Sequence, residues 1–172
     1  MQLRFLQKNK EEKYMIIAVA GSGGKTTRVH KLARYYRSLG KKVFVTTTTH
    51  MKKESDTVIP ENIEDIRKQL NETGYCMAGM PATPENALVQ KIGPLPEDFY
   101  ETAVKEADIT LIEADGSRGM PAKIPEDYEP VIPENIDEIH IVIGMSALGK
   151  IASKVVHRLS LADKELEFKE DK

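Results

Sequence analysis

A short apolar run that ends in a glycine-rich turn, Y-M-I-I-A-V-A-G-S-G-G-K-T-T at residues 14–27, most constrains how this chain can fold. The run from Met15 to Ala20 has the length and the Ile and Val content of a buried β-strand. After the turn, apolar residues recur at helical spacing until a glycine marks the helix end: Val29, Leu32, Ala33, Tyr36, Leu39 and then Gly40. The sequence therefore predicts a strand, a glycine-rich loop and a helix, in that order.

This order is typical of a phosphate-binding loop, because unpaired backbone N–H groups at a helix N-terminus attract anions. Glycines let the backbone curl around phosphates without Cβ clashes. We expect Lys25 to reach the terminal phosphates from a solvent-accessible position, and the Thr26 hydroxyl to bind Mg²⁺. The predicted nucleotide-binding residues are Gly21, Ser22, Gly23, Gly24, Lys25, Thr26 and Thr27.

The loop lacks one residue of the full P-loop pattern, which has a further glycine where this chain has Val19. What remains is the shorter G-x-x-G-K-T. The alternative interpretation is a tight strand-to-helix turn with a solvated lysine.

Strands and helices alternate along the rest of the chain. Periodicity predicts strands over 42–48, 75–78, 108–114 and 138–143, helices over 61–70 and 97–107, and a turn that becomes helical over 146–159. The proline- and glycine-rich stretch 80–96 is expected to be a loop with one short helix over 85–90. This alternation predicts an α/β fold of the P-loop NTPase type, with a mostly parallel sheet and helices on both faces.

The 172 residues indicate one ordinary domain, with an N-terminal arm, 1–13, and a charged tail, 163–172. A net charge of −2 does not favour a nucleic-acid surface. A single cysteine, Cys76, excludes an internal disulfide and a cysteine-based zinc site, and it suits a reducing compartment. The first 14 residues do not resemble a signal peptide, and no apolar run approaches the ~20 residues of a membrane span. We therefore expect a cytoplasmic protein without membrane contact; its oligomeric state stays open.

A second group of candidate site residues follows the predicted strand in L-I-E-A-D-G-S-R-G. Ligands of parallel sheets bind beyond the carboxyl ends of the strands, where Glu113 and Asp115 stand. Either carboxylate could bind Mg²⁺, directly or through water, while the other orients a nucleophile. Arg118 and Lys123 form a candidate anion site on the same loop. The alternative is an acidic turn in which Arg118 pairs with Glu113 and Lys123 is solvated.

A run of threonines ends the second predicted strand. Alternation places Thr46, Thr48 and His50 on one side, where the threonines are candidate cofactor ligands and His50 a general base or substrate ligand. We expect this strand to lie beside the first one, near the terminal phosphate. A plain strand that runs into a loop is the alternative. His157 and Arg158 are assigned to a solvated face of the last helix.

Five motifs occur in one order between Val19 and Arg158: V-A-G-S-G-G-K-T-T, V-F-V-T-T-T-T-H-M, L-I-E-A-D-G-S-R-G-M-P-A-K-I-P, E-P-V-I-P, and A-L-G-K followed by V-H-R. They resemble the motifs of the selenium-dependent hydroxylase accessory proteins of the YqeC type. The resemblance covers most of the chain and implies a cytoplasmic role in maturing selenium-containing molybdenum hydroxylases. The implied partners are a molybdenum-cofactor species or a client hydroxylase. Members of this family usually continue beyond the V-H-R segment.

A looser similarity concerns the G-x-x-G-K-T loop and the strand that ends in Thr and His. Together they are similar to the central domain of Mur-type and folate-polyglutamate ligases, which make an acyl-phosphate and then an amide. Three interpretations follow: a P-loop protein that hydrolyses ATP or uses it to activate a substrate, a non-catalytic nucleotide-dependent scaffold, and a small ligase-like enzyme acting on a cofactor precursor. The expected cofactors are ATP and Mg²⁺, since the guanine-reading N-K-x-D pattern is absent.

Overall fold

The computed structural model describes residues 14–162, so the predicted N-terminal arm, 1–13, and charged tail, 163–172, lie outside the described residues. Its strands are β1 (Met15–Gly21), β2 (Val43–Thr47), β3 (Met51–Lys52), β4 (Tyr75–Met77), β5 (Met80–Pro81), β6 (Lys91–Gly93), β7 (Ile109–Glu113), β8 (Ala122–Lys123), β9 (Glu138–Val142) and β10 (Val156–His157). Its helices are α1 (Lys25–Ser38), α2 (Ile63–Thr73), α3 (Glu97–Ala103) and α4 (Ala152–Val155). Single 3₁₀ turns lie at Val104–Glu106, Met145–Ala147 and Leu159–Leu161.

Five of these strands form one parallel sheet in the order β4-β2-β7-β1-β9. This confirms the predicted α/β fold with a mostly parallel sheet. The expectation that β2 lies beside β1 was wrong, because β7 pairs with both strands and separates them. At the carboxyl end of β7, Glu113 therefore has Val19 of β1 on one side and Thr47 of β2 on the other.

Alternate residues of β1 enter two different layers of the core. Ile17 and Val19 pack against α1 on one face, whereas Ile16 and Ala18 pack on the opposite face with Val104, which follows α3. Helices α2 and α3 cover that second face through a cluster that includes Phe44, Ile66, Leu70, Cys76 and Ala103. Helices thus cover both faces as predicted, and burial on both sides explains why the strands are continuous apolar runs.

Local side-chain chemistry sets the ends of α2. The Asn62 side chain accepts a 2.9 Å hydrogen bond from the Glu64 N–H, and Asp65 Oδ2 accepts one of 3.1 Å from the Asn62 N–H, which completes a capping box. Gly74 follows the last turn with φ 69°, the left-handed conformation that glycine favours at a helix end. These signals explain why the prediction of a helix here, over 61–70, was right in kind and differed only at its ends.

The stretch 80–96 contributes β5 and β6 to a small antiparallel sheet that the sequence analysis did not predict. The order of this sheet is β3-β6-β5, and its third strand, β3, follows the threonine run. The short helix predicted over 85–90 was wrong: this part of the described chain consists of turns and bends. The Gln90 side-chain amide donates to the carbonyl groups of Pro84, Glu85 and Ala87. One side chain thus binds the carbonyl groups that a helix would have paired through its backbone.

The helix predicted within 146–159 was wrong in its extent. Gly149 adopts φ 68° and interrupts the segment, α4 covers only four residues, and the chain then becomes β10. The β10 strand pairs in parallel with β8, and the Ile124 N–H donates a 3.0 Å hydrogen bond to the His157 carbonyl group. His157 is therefore a strand residue, and Arg158 follows it with φ 60°. Between residues 14 and 162, no helix combines the length and apolarity that crossing a membrane requires.

Candidate functional site

The glycine loop leaves the N-terminus of α1 open to an anion. Gly24 occupies the cap position with φ 117°, and among the described residues no side chain caps this helix and no acidic residue stands in its first turn. Helix α2, by contrast, has both a capping side chain and two acidic residues in its first turn. The first amides of α1 therefore remain available to a negatively charged ligand.

Close backbone contacts require glycine in this loop. A Cβ at Gly21 would overlap the Val142 carbonyl oxygen, and one at Gly23 would lie 2.7 Å from both the Gly144 Cα and the Pro121 carbonyl oxygen. Both glycines also have positive φ angles, 96° and 73°. The loop thus packs directly on the end of β9 and on the loop before β8, which hold its backbone in place.

A cavity of about 530 Å³ opens beside the loop, a size typical of small-molecule sites. Its lining consists of residues 23–27, 49–50, Lys91, Glu113, 115–119, Glu129 and 157–158. The structure thus brings the following predicted site residues to one cavity: Gly23, Gly24, Lys25, Thr26, Thr27, His50, Glu113, Asp115 and Arg118. Five predicted site residues lie outside its lining: Gly21, Ser22, Thr46, Thr48 and Lys123.

Thr26 and Glu113 bring two oxygen ligands together at the floor of the cavity. The Thr26 hydroxyl donates a 2.7 Å hydrogen bond to Glu113 Oε2, which joins the first turn of α1 to the end of β7. Burial raises the pKa of the Glu113 carboxyl, and the Thr26 hydroxyl and the nearby Lys25 oppose that shift. A hydroxyl and a carboxylate are hard oxygen ligands, and they fit a Mg²⁺ ion that takes its remaining ligands from water and phosphate.

Among residues 14–162, no cluster of three or more His, Cys, Asp or Glu side chains could hold a metal ion by itself. Thr26 and Glu113 offer two oxygens, so a Mg²⁺ ion there would need its remaining ligands from water or from a bound anion.

Lys25 is buried, which corrects the expectation of a solvent-accessible side chain. Its ammonium group donates to the Gly21 carbonyl oxygen at 2.9 Å and to Ser117 Oγ at 3.2 Å. Burial lowers the pKa of Lys25, although Glu113 and Asp115 favour its charged form. The lysine therefore folds back over the loop and joins it to the segment that follows β7.

Asp115 holds the glycine loop through a hydrogen bond to its backbone. Its Oδ2 accepts a 3.2 Å hydrogen bond from the Gly21 N–H, and its Oδ1 forms a close ion pair with Lys123. Ser22 makes a parallel contact, because its hydroxyl donates to the Met120 carbonyl oxygen at 2.9 Å. Gly21 and Ser22 thus fix the loop to residues 115–120, and both oxygens of Asp115 are already engaged.

Lys123 is neither solvated nor available as an anion ligand, which corrects both sequence-based interpretations of this residue. Its side chain is 3% exposed and is paired with Asp115 and, at 2.6 Å, with Glu129. Arg158 forms a further close ion pair with Glu129, so it does not lie on a solvated helix face. Burial acts against the Glu129 carboxylate, but hydrogen bonds from Lys123 and Arg158 prevail and lower its pKa to about 2.

The threonine run contributes a different residue from those predicted. Thr46 is buried in β2, and the Thr48 hydroxyl donates to the Val131 carbonyl oxygen at 2.6 Å. The Thr47 hydroxyl donates to the Glu113 carbonyl oxygen at 2.7 Å and so fixes the end of β7. Thr49 and His50, beyond the end of β2, line the cavity. The strand ends at Thr47, so the alternation of sides does not extend to Thr48 and Thr49. The prediction from alternation therefore named Thr46 and Thr48 and missed Thr49.

Lys91 and Glu129 are cavity residues that the sequence analysis missed. Lys91 begins a strand of three residues, and Glu129 lies in a turn-rich segment. Neither segment has a periodicity that relates it to the glycine loop, so only the tertiary structure identifies them.

Together, the parallel sheet, the open helix start at a glycine loop and the carboxylate at the neighbouring strand end define an α/β protein of the phosphate-loop type. A family model described as "YqeC protein" matches residues 17–160, and the chain belongs to this family. It is 33% identical to the Uncharacterized protein YqeC of Escherichia coli (strain K12), over 84% of this chain and 58% of that protein.

Two signal recognition particle 54 kDa proteins are also similar. The protein of Hyperthermus butylicus is 30% identical over 61% of this chain, and that of Archaeoglobus fulgidus is 24% identical over 84% of this chain. This chain spans 58% of the Escherichia coli protein and 21% and 30% of the other two. No solved structure matches the chain.

Proposed function

We propose that this chain binds a nucleoside triphosphate with Mg²⁺ at the glycine loop and hydrolyses it or uses it to activate a second substrate. The observation that carries the proposal is the Thr26–Glu113 hydrogen bond at the uncapped start of α1. Two oxygens of the kind that Mg²⁺ prefers thus lie beside amides that favour an anion, which supports the proposal. An ordinary turn with a solvated lysine does not account for the burial of Lys25 or for this pairing.

Different groups of the protein would bind different parts of the triphosphate. The amides at the start of α1 bind phosphate oxygens, and the Lys25 ammonium exchanges its bonds to Gly21 and Ser117 for the terminal phosphates. Releasing Ser117 frees the segment after β7 to adjust around the ligand. This exchange makes the lysine sensitive to the presence of the terminal phosphate.

Thr26 and Glu113 are the residues that would hold Mg²⁺, whose chemistry is to neutralise charge on the phosphates. Asp115 then acts as a positioning residue, because its two oxygens hold the Gly21 N–H and the Lys123 ammonium. The sequence alone allowed either carboxylate to bind Mg²⁺; here Glu113 is proposed to bind the ion and Asp115 to position the loop.

The biological role that we propose is the maturation of selenium-dependent molybdenum hydroxylases in the cytoplasm. It rests on the resemblance of the motifs between Val19 and Arg158 to accessory proteins of that kind. A molybdenum-cofactor species or a client hydroxylase would be the partner. ATP is the proposed nucleotide because the guanine-reading pattern is absent from the sequence.

A nucleotide panel tests the proposal. Calorimetry with ATP, GTP and ADP, each with and without Mg²⁺, measures binding, and phosphate release at saturating Mg-nucleotide measures hydrolysis. We expect Mg²⁺-dependent binding of a triphosphate. Binding without phosphate release would favour a non-catalytic scaffold, and release only after addition of a second small molecule would favour a ligase-like enzyme. Absence of binding for every nucleotide would overturn the proposal.

A further inference from the structure

The cavity contains more polar groups than a nucleotide's phosphates require. The small antiparallel sheet and the segment before β3 contribute Thr49, His50 and Lys91 to the cavity lining. Gly93 of β6 lies next to Thr49 and His50, because a Cβ at this glycine would lie 3.9 Å from His50 Cδ2. The sheet therefore forms a second wall, separate from α1 and β7.

Two cations and a histidine on the cavity lining have no internal partner. In the part of the chain that the structure describes, the side chains of Lys91, Arg118 and His50 make no hydrogen bond or ion pair with another residue. Arg158 differs, because Glu129 and Glu126 already neutralise it. Charge of one sign that is left uncompensated in a concave site attracts anions.

Thr49 provides an observation of a different kind. Its hydroxyl oxygen is buried and has no hydrogen-bond partner among the described residues, although the residue lines the cavity. The buried hydroxyls of Thr46 and Thr110 are also unpaired, but of these three residues only Thr49 lines the cavity, so a ligand there would give its hydroxyl a partner.

Arg118 is held in an unfavourable backbone conformation, with φ 49°. The left-handed region is uncommon for a residue with a long side chain, and such strain clusters at binding sites. Arg118 lies on the cavity lining. Its planar guanidinium group can bind a carboxylate or a phosphate through two parallel hydrogen bonds.

His157 lies on the cavity lining near several charged side chains. Burial lowers the pKa of its imidazole, and the charges of Arg158, Arg118 and Lys123 lower it further against the opposing effect of Glu129. Arg158 and Lys123 are paired with Glu129, so Arg118 is the one of these three cations that has no ion-pair partner among the described residues.

We propose that Lys91, Arg118, His50 and the Thr49 hydroxyl form a second binding site, for the anionic group of a small co-substrate. The chemistry is that of an oxyanion, either a carboxylate or a phosphate, held between the antiparallel sheet and the turn after β7. The placement of this co-substrate next to a nucleotide's terminal phosphate rests on the proposed function, whereas the anion site itself does not. This second site replaces the anion site expected at Arg118 and Lys123, because Lys123 already forms ion pairs with Asp115 and Glu129.

The four histidines allow a direct test by ¹H NMR of the full chain. His50 and His157 line the cavity, while His30 pairs with Glu54 and His140 with Glu138, which makes the latter two internal controls. Inorganic phosphate, and in a second arm malonate, is titrated at constant pH and ionic strength. Each titration is run without nucleotide and with a saturating non-hydrolysable ATP analogue and Mg²⁺.

We expect saturable shifts of the His50 and His157 signals while His30 and His140 stay still. The double variant Lys91→Ala/Arg118→Ala should raise the dissociation constant at least about tenfold, because each loses a hydrogen bond to a charged group. Lys52→Ala is the matched control, since Lys52 is exposed and is the cross-strand neighbour of Lys91 outside the cavity lining. Its affinity should equal that of the wild type. The arm with the tighter binding identifies the co-substrate's anion.

Two results would overturn the second site. One is the absence of saturable shifts at both cavity histidines; the other is wild-type affinity in the double variant. In the nucleotide-free arm, loss of the shifts in Lys25→Ala but not in the double variant would place the anion on the glycine loop instead. If no nucleotide binds, the proposed function fails while this titration still decides the anion site.

Discussion

The Thr26 hydroxyl donates a 2.7 Å hydrogen bond to Glu113 Oε2 and thereby connects the first turn of α1 to the end of β7. These two residues are 87 positions apart in the chain. Their contact depends on the register of the parallel sheet, in which Glu113 pairs with Val19 two residues before the glycine loop begins at Gly21. The sheet thus brings together the two oxygens to which the proposed function assigns Mg²⁺.

Glu113→Gln should remove the Mg²⁺ dependence of nucleotide binding without lowering stability at pH 7. Glutamine can still accept the Thr26 hydrogen bond, but it lacks the charge that binds a hard cation. Burial raises the pKa of Glu113 above its ordinary value of 4.5, so the ionised carboxylate costs the folded state stability at neutral pH. Thermal unfolding and calorimetry with and without Mg²⁺ measure the two effects.

The pH dependence of stability tests whether ionised Glu113 destabilises the fold. This destabilisation is fully present above the raised pKa of Glu113 in the folded state. It fades as the pH falls through that pKa towards 4.5, where the unfolded chain also takes up the proton. The stability advantage of the glutamine variant should therefore shrink on acidification. An advantage that grows as pH falls would contradict the account.

Asp115→Asn should lower stability and leave the Mg²⁺ dependence intact. The substitution removes a charge from the buried network, in which the Lys123 ammonium pairs with both Asp115 and Glu129. Breaking a buried pair typically costs about 3–5 kcal/mol, and each ~1 kcal/mol shifts the melting temperature of a chain of this size by about 2–4 °C. Equal loss of Mg²⁺ dependence in this variant and in Glu113→Gln would show that both carboxylates bind the ion.

The ionised Glu129 carboxylate should stabilise the fold at neutral pH and lose this effect in acid. Its pKa is lowered from 4.5 to about 2, so its ionised form contributes stability above pH 4.5 that is lost as pH falls towards 2. Glu129→Gln should remove that contribution and flatten the acid side of the stability profile. Urea unfolding of both proteins from pH 7 to pH 2 measures the difference. Parallel profiles would contradict the assignment.

Gly23→Ala should destabilise the glycine loop far more than Gly40→Ala does the end of α1. Both glycines have φ 73°, so both variants incur the left-handed cost of about 1–2 kcal/mol. Only at Gly23 would the new Cβ also lie 2.7 Å from the Pro121 carbonyl oxygen, whereas nothing stands within 4 Å at Gly40. Thermal unfolding compares the two, and equal losses would show that backbone conformation alone requires glycine.

The sequence predicted the parts of the site that depend on local pattern. The strand, loop and helix at residues 14–40 each have their own periodicity, and a carboxylate at the end of another parallel strand must lie at the same edge of the sheet. Glu113 therefore follows from the pattern, and so does its proximity to Thr26.

The antiparallel sheet could not be predicted in this way. Its strands have two or three residues, too few for an alternation, and β3 pairs with β6 from about 40 residues away. Lys91 consequently had no visible relation to the glycine loop. Lys123 was misjudged for a related reason: its partners Asp115 and Glu129 are close in sequence, but only the turns between them bring the three side chains together.

Titration of Mg-ATP into the wild type and Lys25→Ala, by calorimetry, tests the central claim most directly. Lys31→Ala, on the exposed face of the same helix, is the control. Because burial lowers the pKa of Lys25, removing this cation relieves a cost, and the variant should remain folded at pH 7 by circular dichroism. The account predicts saturable binding to the wild type and Lys31→Ala, and at least about a tenfold loss in Lys25→Ala. Equal ATP affinity in all three proteins would contradict a phosphate-binding loop at residues 21–27.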